Sequence, residues 1–227
     1  METKKYSVLI IDDHPLISNA YQSAFKYISK QNENISFKID VANNCDSAFE
    51  KINYFSINNK CLDIVFLDIK LPPSKCGKIL SGEDLGLKIN DLLPETKIIV
   101  ATTFNNNYRI HSIFKNLNPD GFLIKNDITP KELVTTINTI ITDPPYYSNT
   151  VMQFLRKRIS NDLLLDDKDR RILYELSIGT RMKELPNIIP LSIAGIEKRK
   201  RNLKQIFNVK SSDDRDLILK AKEKGFI

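Results

Sequence analysis

Cysteine and histidine are scarce in this chain of 227 residues, and no apolar run approaches the roughly 18 residues that a membrane helix needs. Cys45, Cys61 and Cys76 show no CxxC spacing and are odd in number. A disulfide framework and a zinc ribbon are thereby disfavoured, and the thiols are those expected of a reducing cytoplasm. His14 and His111 are the only histidines, which argues against catalytic triads and histidine-rich metal sites. The N-terminal METKKYSVLII holds a four-residue apolar run, too short for a signal-peptide core. Internal repeats and low-complexity segments are lacking as well.

What is present is a soluble, globular composition long enough for one large domain or two ordinary ones. Charge is unevenly placed. Residues 1–150 hold 16 Lys and Arg against 17 Asp and Glu, whereas residues 151–227 hold 18 against 11, so the net +6 arises wholly in the last third. A near-neutral front joined to a basic back suggests that the back meets a polyanion, most often nucleic acid.

Up to about residue 143, short apolar runs alternate with segments of helical period. The runs are VLII (8–11), FKIDVA (37–42), DIVFL (63–67), KIIVA (97–101) and GFLI (121–124). Ser81 ahead of Glu83 and Asp84, and Thr129 ahead of Pro130 and Glu132, read as helix starts. Five strands and five helices in strict alternation imply a doubly wound five-stranded parallel sheet covered on both faces. Ligands of such sheets lie at the carboxyl ends of the strands.

That rule selects residues. Asp12 and Asp13 follow the first run, Asp68 ends the third, Thr102 and Thr103 the fourth, and Lys125 the fifth. Adjacent carboxylates repel and are costly to desolvate, so the Asp12–Asp13 pair needs a reason, which a bound cation would supply. Carboxylates with a backbone carbonyl suit Mg²⁺, a hard cation often completed by phosphate. Singly, each aspartate also suits a helix cap or a turn, and Lys125 a surface position. Their joint placement at strand ends favours a site.

The pieces IIDDHP, DIVFLDIKLPP, IIVATTF and GFLIK together resemble the receiver domain of bacterial two-component response regulators, whose fold is flavodoxin-like, over nearly all of residues 5–142. The resemblance implies that Asp68, four residues before Pro72, is the phosphoacceptor, and that Asp13 and Asp68 hold Mg²⁺ directly with the backbone carbonyl of Lys70, while Asp12 acts on it through a water. It further implies Thr102 as switch hydroxyl, Lys125 as the conserved-type lysine and Phe122 as the switch aromatic. The loop PPSKCGKILSGEDLG is longer than usual for the family, with Gly82 matched to its customary glycine.

After ITDPPYYSN, residues 143–164 read as a linker with a short helix in TVMQFLRKRI, and from Leu165 onward only helices fit. LDDKDRRILYELSIG has Asp166 as N-cap and Gly179 as stop, and SSDDRDLILKAKEKG runs from Ser211 to Gly225. In LSIAGIEKRKRNLKQIF, with Ser192 as N-cap, helical spacing puts Ile193, Ile196, Leu203 and Phe207 on one stripe. Glu197, Lys198, Arg201, Asn202 and Gln205 point away from it, and Arg199 and Lys200 flank it. A basic, amide-bearing front on an apolar back suits base edges and phosphates. An ordinary basic surface helix would share much of this pattern.

Residues 165–225 are similar to the helix-turn-helix domain of LuxR and NarL regulators. By that match Glu197, Lys198 and Arg201 hold base-contacting positions, and Arg199, Asn202 and Lys204 lie near the DNA backbone. Pro186 interrupts the first helix of the motif, so that helix starts near Pro186 or is distorted. Gly195 and Glu197 replace the threonine and lysine common there, and Glu197 is suited to cytosine. The chain is thus expected to be a cytoplasmic, non-enzymatic transcription factor of two domains, 1–142 and 165–227, joined by the linker 143–164. It would be phosphorylated on Asp68 by a sensor histidine kinase and bind double-stranded DNA as a homodimer. Two other readings stay open: a helical tail that binds a protein, and a magnesium-dependent phosphatase of the haloacid dehalogenase type. In the latter the nucleophile lies in a D-x-D on the first strand, whereas Asp68 lies far downstream.

Overall fold

The apolar runs become strands because each can bury both faces. In this computed structural model, which describes residues 3–104, 107–156, 165–211, 213–224 and 226–227, the strands are β1 (Lys4–Ile11), β2 (Ile35–Ala42), β3 (Ile64–Asp68), β4 (Lys97–Thr102), β5 (Gly121–Ile124) and β6 (Tyr146–Tyr147). They form one sheet in the order β2-β1-β3-β4-β5-β6, with every pairing parallel. Burial grades with position: every residue of β3 and β5 is buried, while the outer strand β2 is mostly half-buried.

The sequence pattern anticipates five of these strands. The sixth, Tyr146–Tyr147, pairs with Gly121 and Phe122 of β5 and lies within what reads as linker. Two residues are too few to show a period. Neighbouring backbone bonds anchor the segment, with Tyr146 N–H donating to the Asp120 carbonyl and Ser148 N–H to that of Phe122.

Helices between the strands are α1 (Pro15–Gln31), α2 (Cys45–Ile57), α3 (Gly82–Leu92), α4 (Asn107–Leu117) and α5 (Pro130–Thr142). Local signals fix their starts. The Asn44 side chain accepts from Ser47 N–H and the Thr129 hydroxyl from Glu132 N–H, while Pro15 and Pro130 occupy first-turn positions. Ser81 holds the N-cap position of α3 without a side-chain cap bond. Helices α1 and α5 pack on one face, where Tyr21, Phe25, Leu133 and Ile137 meet Val8, Ile10, Phe66 and Leu123. Tyr21 and Phe25 both contact the Phe66 ring, with centroids 4.5 and 5.7 Å away. Each such buried side chain contributes about 1.5–3 kcal/mol of transfer free energy.

The chain divides into two compact units: residues 1–103 with 117–153, and residues 104–116 with 154–227. The remaining helices are α6 (Asn149–Arg156), α7 (Asp167–Ser177), α8 (Ile193–Ile206) and α9 (Asp214–Glu223). Helix α6 takes up most of the short helix expected after the sheet, and residues 157–159 lie outside the described ones. Leu165, Ile172, Leu173, Leu185, Ile189, Ile196, Leu203, Phe207 and Leu217 share one apolar core. Asp166 and Asp169 form a reciprocal capping box on α7, and Gly179 turns the chain at φ +90° after it. Around Pro186 the chain makes only a short 3₁₀ turn, Leu185–Asn187, in keeping with a ring that cannot sit inside an α-helix. Gly225, the expected stop of the last helix, lies outside the described residues. No helix among the described residues is long and apolar enough to cross a membrane.

Candidate functional site

Strand ends bring the predicted residues together. Chain direction reverses its lateral progress at β1, which lies between β2 and β3, so the crevice at the carboxyl ends of β1 and β3 is the place where such sheets bind ligands. Asp12 and Asp68 are both 2 % exposed there, and Thr102, Phe122 and Lys125 are buried. Lys125 Nζ donates to Asp68 Oδ2 at 2.6 Å and lies 2.7 Å from Asp12 Oδ2. The Lys70 N–H donates to Asp68 Oδ1 at 2.9 Å, and the His14 N–H to Asp12 Oδ1 at 2.9 Å. Asp13 is the more open acid, its side chain 31 % exposed.

Burial pushes the Asp68 carboxyl above the ordinary aspartate value, against the hydrogen bond and charge of Lys125 and the Lys70 N–H, which pull it down. One buried ammonium therefore serves two buried carboxylates, with the more open Asp13 beside them. Ligand atoms of Asp12, Asp13, His14 and Asp68 all lie within 4.8 Å of one another. A divalent cation with oxygen preference fits this donor set and would balance the excess negative charge.

The backbone beside Asp68 is held as closely. A Cβ on Gly82 would lie 1.8 Å from the Asp68 carbonyl oxygen, so only glycine permits this approach. Between them, the long loop is tied down by Ser74, whose hydroxyl accepts from Ile79 N–H, and by Asp46, which accepts from Lys75 N–H.

In the second unit, Ser192 caps α8 by accepting from Gly195 N–H. Ile196 and Leu203 face the core, and Glu197, Lys198, Arg201, Asn202 and Gln205 are exposed. Ile193, expected on the buried stripe, is 47 % exposed. It sits in the first turn about 60° around the helix from Ile196, and the core ends before reaching it.

The three remaining candidates on α8 have partners inside the unit. Arg199 Nη1 lies 2.8 Å from both Asp166 Oδ2 and Asp169 Oδ1. Lys200 and Lys204 each lie 2.9 Å from a different oxygen of Asp214. Burial works against the Asp214 carboxylate, yet the bonds and charges of Lys200 and Lys204 outweigh it and hold its pKa below the usual value.

Residues 8–138 match the family model described as the response regulator receiver domain, which is more than half of the chain. The chain belongs to this family. Among full-length relatives, the oxygen regulatory protein NreC of Staphylococcus carnosus is 22 % identical over 219 residues, covering 91 % of this chain and 93 % of that protein. Two solved structures of RcsB share the fold. One, from Salmonella enterica serovar Typhimurium and bound to promoter rprA in the presence of BeF₃⁻, has TM-score 0.64 at 20 % identity, covering 96 % of this chain and 99 % of that one. The other, from Salmonella typhimurium, has TM-score 0.61 at 20 % identity, covering 99 % of each chain.

Within the receiver, sequence reasoning found the strand-end residues and passed over His14. It stands at the N-cap of α1 with no side-chain cap bond, and the only sequence signal was its position directly after the acid pair. The acids of the second unit, Asp166, Asp169 and Asp214, were also missed as partners of the α8 cations. Nothing in the spacing of those acids reveals a contact made across the tertiary fold.

Proposed function

We propose that this receiver-family protein is a response regulator of a two-component system that takes a phosphoryl group on Asp68 from a sensor histidine kinase and acts as a DNA-binding transcriptional regulator. The observation that carries the reading is the buried Asp68 at the end of β3, held between Lys125 Nζ and the Lys70 N–H. A carboxylate oxygen of Asp68 would attack phosphorus, and the bond from phosphorus to the kinase imidazole nitrogen would break as the acyl phosphate forms. Asp12, Asp13, Asp68 and the Lys70 carbonyl are the residues that would hold Mg²⁺, which when bound supplies charge neutralisation between the carboxylate and the phosphoryl oxygens. Lys125 would pass from its pairing with Asp68 to a phosphoryl oxygen. Thr102 would donate a hydrogen bond to the phosphoryl group, and Phe122 would repack beside it.

The output lies in residues 165–227, joined by the linker 143–164 to a receiver of residues 1–142. Glu197, Lys198 and Arg201 on the exposed face of α8 would meet bases, with Asn202 and Gln205 beside them; Arg199, Lys200 and Lys204 would reach phosphates on leaving their carboxylate partners. The named RcsB structure with promoter DNA and BeF₃⁻ supports this reading by analogy of fold. The protein would work in the bacterial cytoplasm, without enzymatic turnover of its own, as a homodimer on paired half-sites.

The test is binding to fragmented genomic DNA across a salt series, with and without Mg²⁺ and beryllofluoride. Selective binding that strengthens with beryllofluoride in the wild type and not in Asp68→Asn is the expected result. A chain that enriches no fragment in either state has a different output, and a protein partner for residues 165–227 becomes the reading to pursue.

A further inference from the structure

His14 belongs to the acid pocket more closely than its place in the sequence suggests. Its Nδ1 lies 2.7 Å from Asp13 Oδ1 and 3.4 Å from Asp12 Oδ1. These two distances bracket the roughly 3 Å that separates neighbouring ligand atoms around an octahedral cation with bonds of about 2.1 Å. The backbone fixes this placement twice over. The His14 N–H donates to Asp12 Oδ1, and the His14 carbonyl accepts from Ile17 and Ser18 N–H at the start of α1. The ring can therefore enter the pocket without any change in the main chain, while its other edge stays in solvent, the side chain being 61 % exposed.

A nitrogen donor changes what the pocket prefers. Mg²⁺ is hard, gains little from imidazole over water and keeps several of its waters. First-row transition cations bind imidazole well, and for a mixed nitrogen and oxygen set their affinities rise along the series that starts at Mn²⁺. Resting on the reading of Asp12, Asp13 and Asp68 as the cation site, we infer that His14 Nδ1 is a further ligand there, and that the receiver is a mixed nitrogen–oxygen site selective for a first-row divalent cation such as Mn²⁺ over Mg²⁺. The close approach of Nδ1 to Asp13 Oδ1 seen here is the arrangement that the cation replaces, with the neutral ring carrying its proton on Nε2 and turning the Nδ1 lone pair to the ion.

The experiment uses the full chain and two readouts that do not depend on phosphorylation. Pulsed electron paramagnetic resonance of the Mn²⁺-loaded protein reads directly whether nitrogen is bound to the ion, and calorimetric titration with MnCl₂ and MgCl₂ gives the ratio of affinities. Expected are a nitrogen coupling in the wild type that disappears in His14→Ala, and a Mn²⁺/Mg²⁺ affinity ratio that falls by about tenfold or more in the variant. Uptake of Mn²⁺ with no nitrogen coupling in the wild type overturns the assignment of His14 and leaves the carboxylate site standing. A ratio unchanged in His14→Ala overturns it equally. A wild-type chain that takes up neither cation overturns both the ligand role of His14 and the cation site on which it rests.

Discussion

Asp68 shows how a single residue carries a cost for the sake of chemistry. Its raised pKa means that its surroundings disfavour the charged form, with burial as the leading cause and Lys125 offsetting it only in part. The sign of the linkage follows: the folded state holds the proton more tightly than the unfolded chain, so the stabilisation is full below the unfolded value near 3.8 and is lost as pH rises through the folded value. At neutral pH the charged Asp68 therefore weighs against the fold, and Asp68→Asn is expected to melt higher than wild type in the absence of divalent cations. The scale is about 2–4 °C for each kcal/mol recovered. The advantage should shrink as pH falls toward 3.8, and a variant that melts lower at pH 7 would show that Lys125 outweighs burial. Gly82 carries a different constraint. Because an added Cβ would meet the Asp68 main chain at 1.8 Å, Gly82→Ala is expected to cost about 1–3 kcal/mol in urea unfolding and to displace Asp68. Unchanged stability together with normal phosphoryl uptake would rule out that close approach. At this scale the sequence was most readable where the topology rule pointed at strand ends, as for Asp12, Asp68 and Lys125. It was blind to the approach of His14 to the acid pair, which depends on a distance and not on a pattern.

Among the elements, the strands and α8 differ in how much their sequences disclose. Runs such as IVFLD are buried on both faces in a parallel sheet, so their burial can be read directly, whereas β6 contributes two residues and no period. In α8 the seven-residue step from Ile196 to Leu203 sets the core direction, but helical spacing alone could not say where the core stops, and Ile193 falls outside it. Nor could it show that Asp214, from the first turn of α9, holds two of the cations. That pairing yields a prediction at this scale. Asp214→Asn keeps the shape of the side chain but removes the charge, freeing Lys200 and Lys204 for phosphates. The slope of log affinity for DNA against log salt should then steepen by up to about 2, at roughly 0.9 for each added phosphate contact, with tighter binding at low salt. Filter-binding titrations between 50 and 200 mM salt, the range over which such slopes are read, settle the matter. An identical slope would mean that the two lysines stay away from the DNA backbone.

For the molecule as a whole, the division of charge read from the sequence overstates what α8 itself has free. The last third is basic in sum, yet Arg199, Lys200 and Lys204 are neutralised within their own unit, leaving Lys198 and Arg201 with Glu197 on the outward face of α8. On the proposed function, one α8 brings only two outward cations and one acid to a groove, so pairing two copies on two half-sites would add much of the binding. Paired binding carries a geometric requirement. Two recognition helices related by a dimer axis reach the same face of the duplex only when half-site centres are about 10–10.5 base pairs apart or a multiple of that. Inserting about half a helical turn between the half-sites of a selected operator should therefore abolish binding of the beryllofluoride-treated protein, and inserting a full turn should restore a large part of it. Gel-shift titrations on the three operators read this directly. Affinity that is indifferent to the insertion would mean that each copy binds alone, and the contacts of α8 would then have to supply far more energy than its few free cations allow.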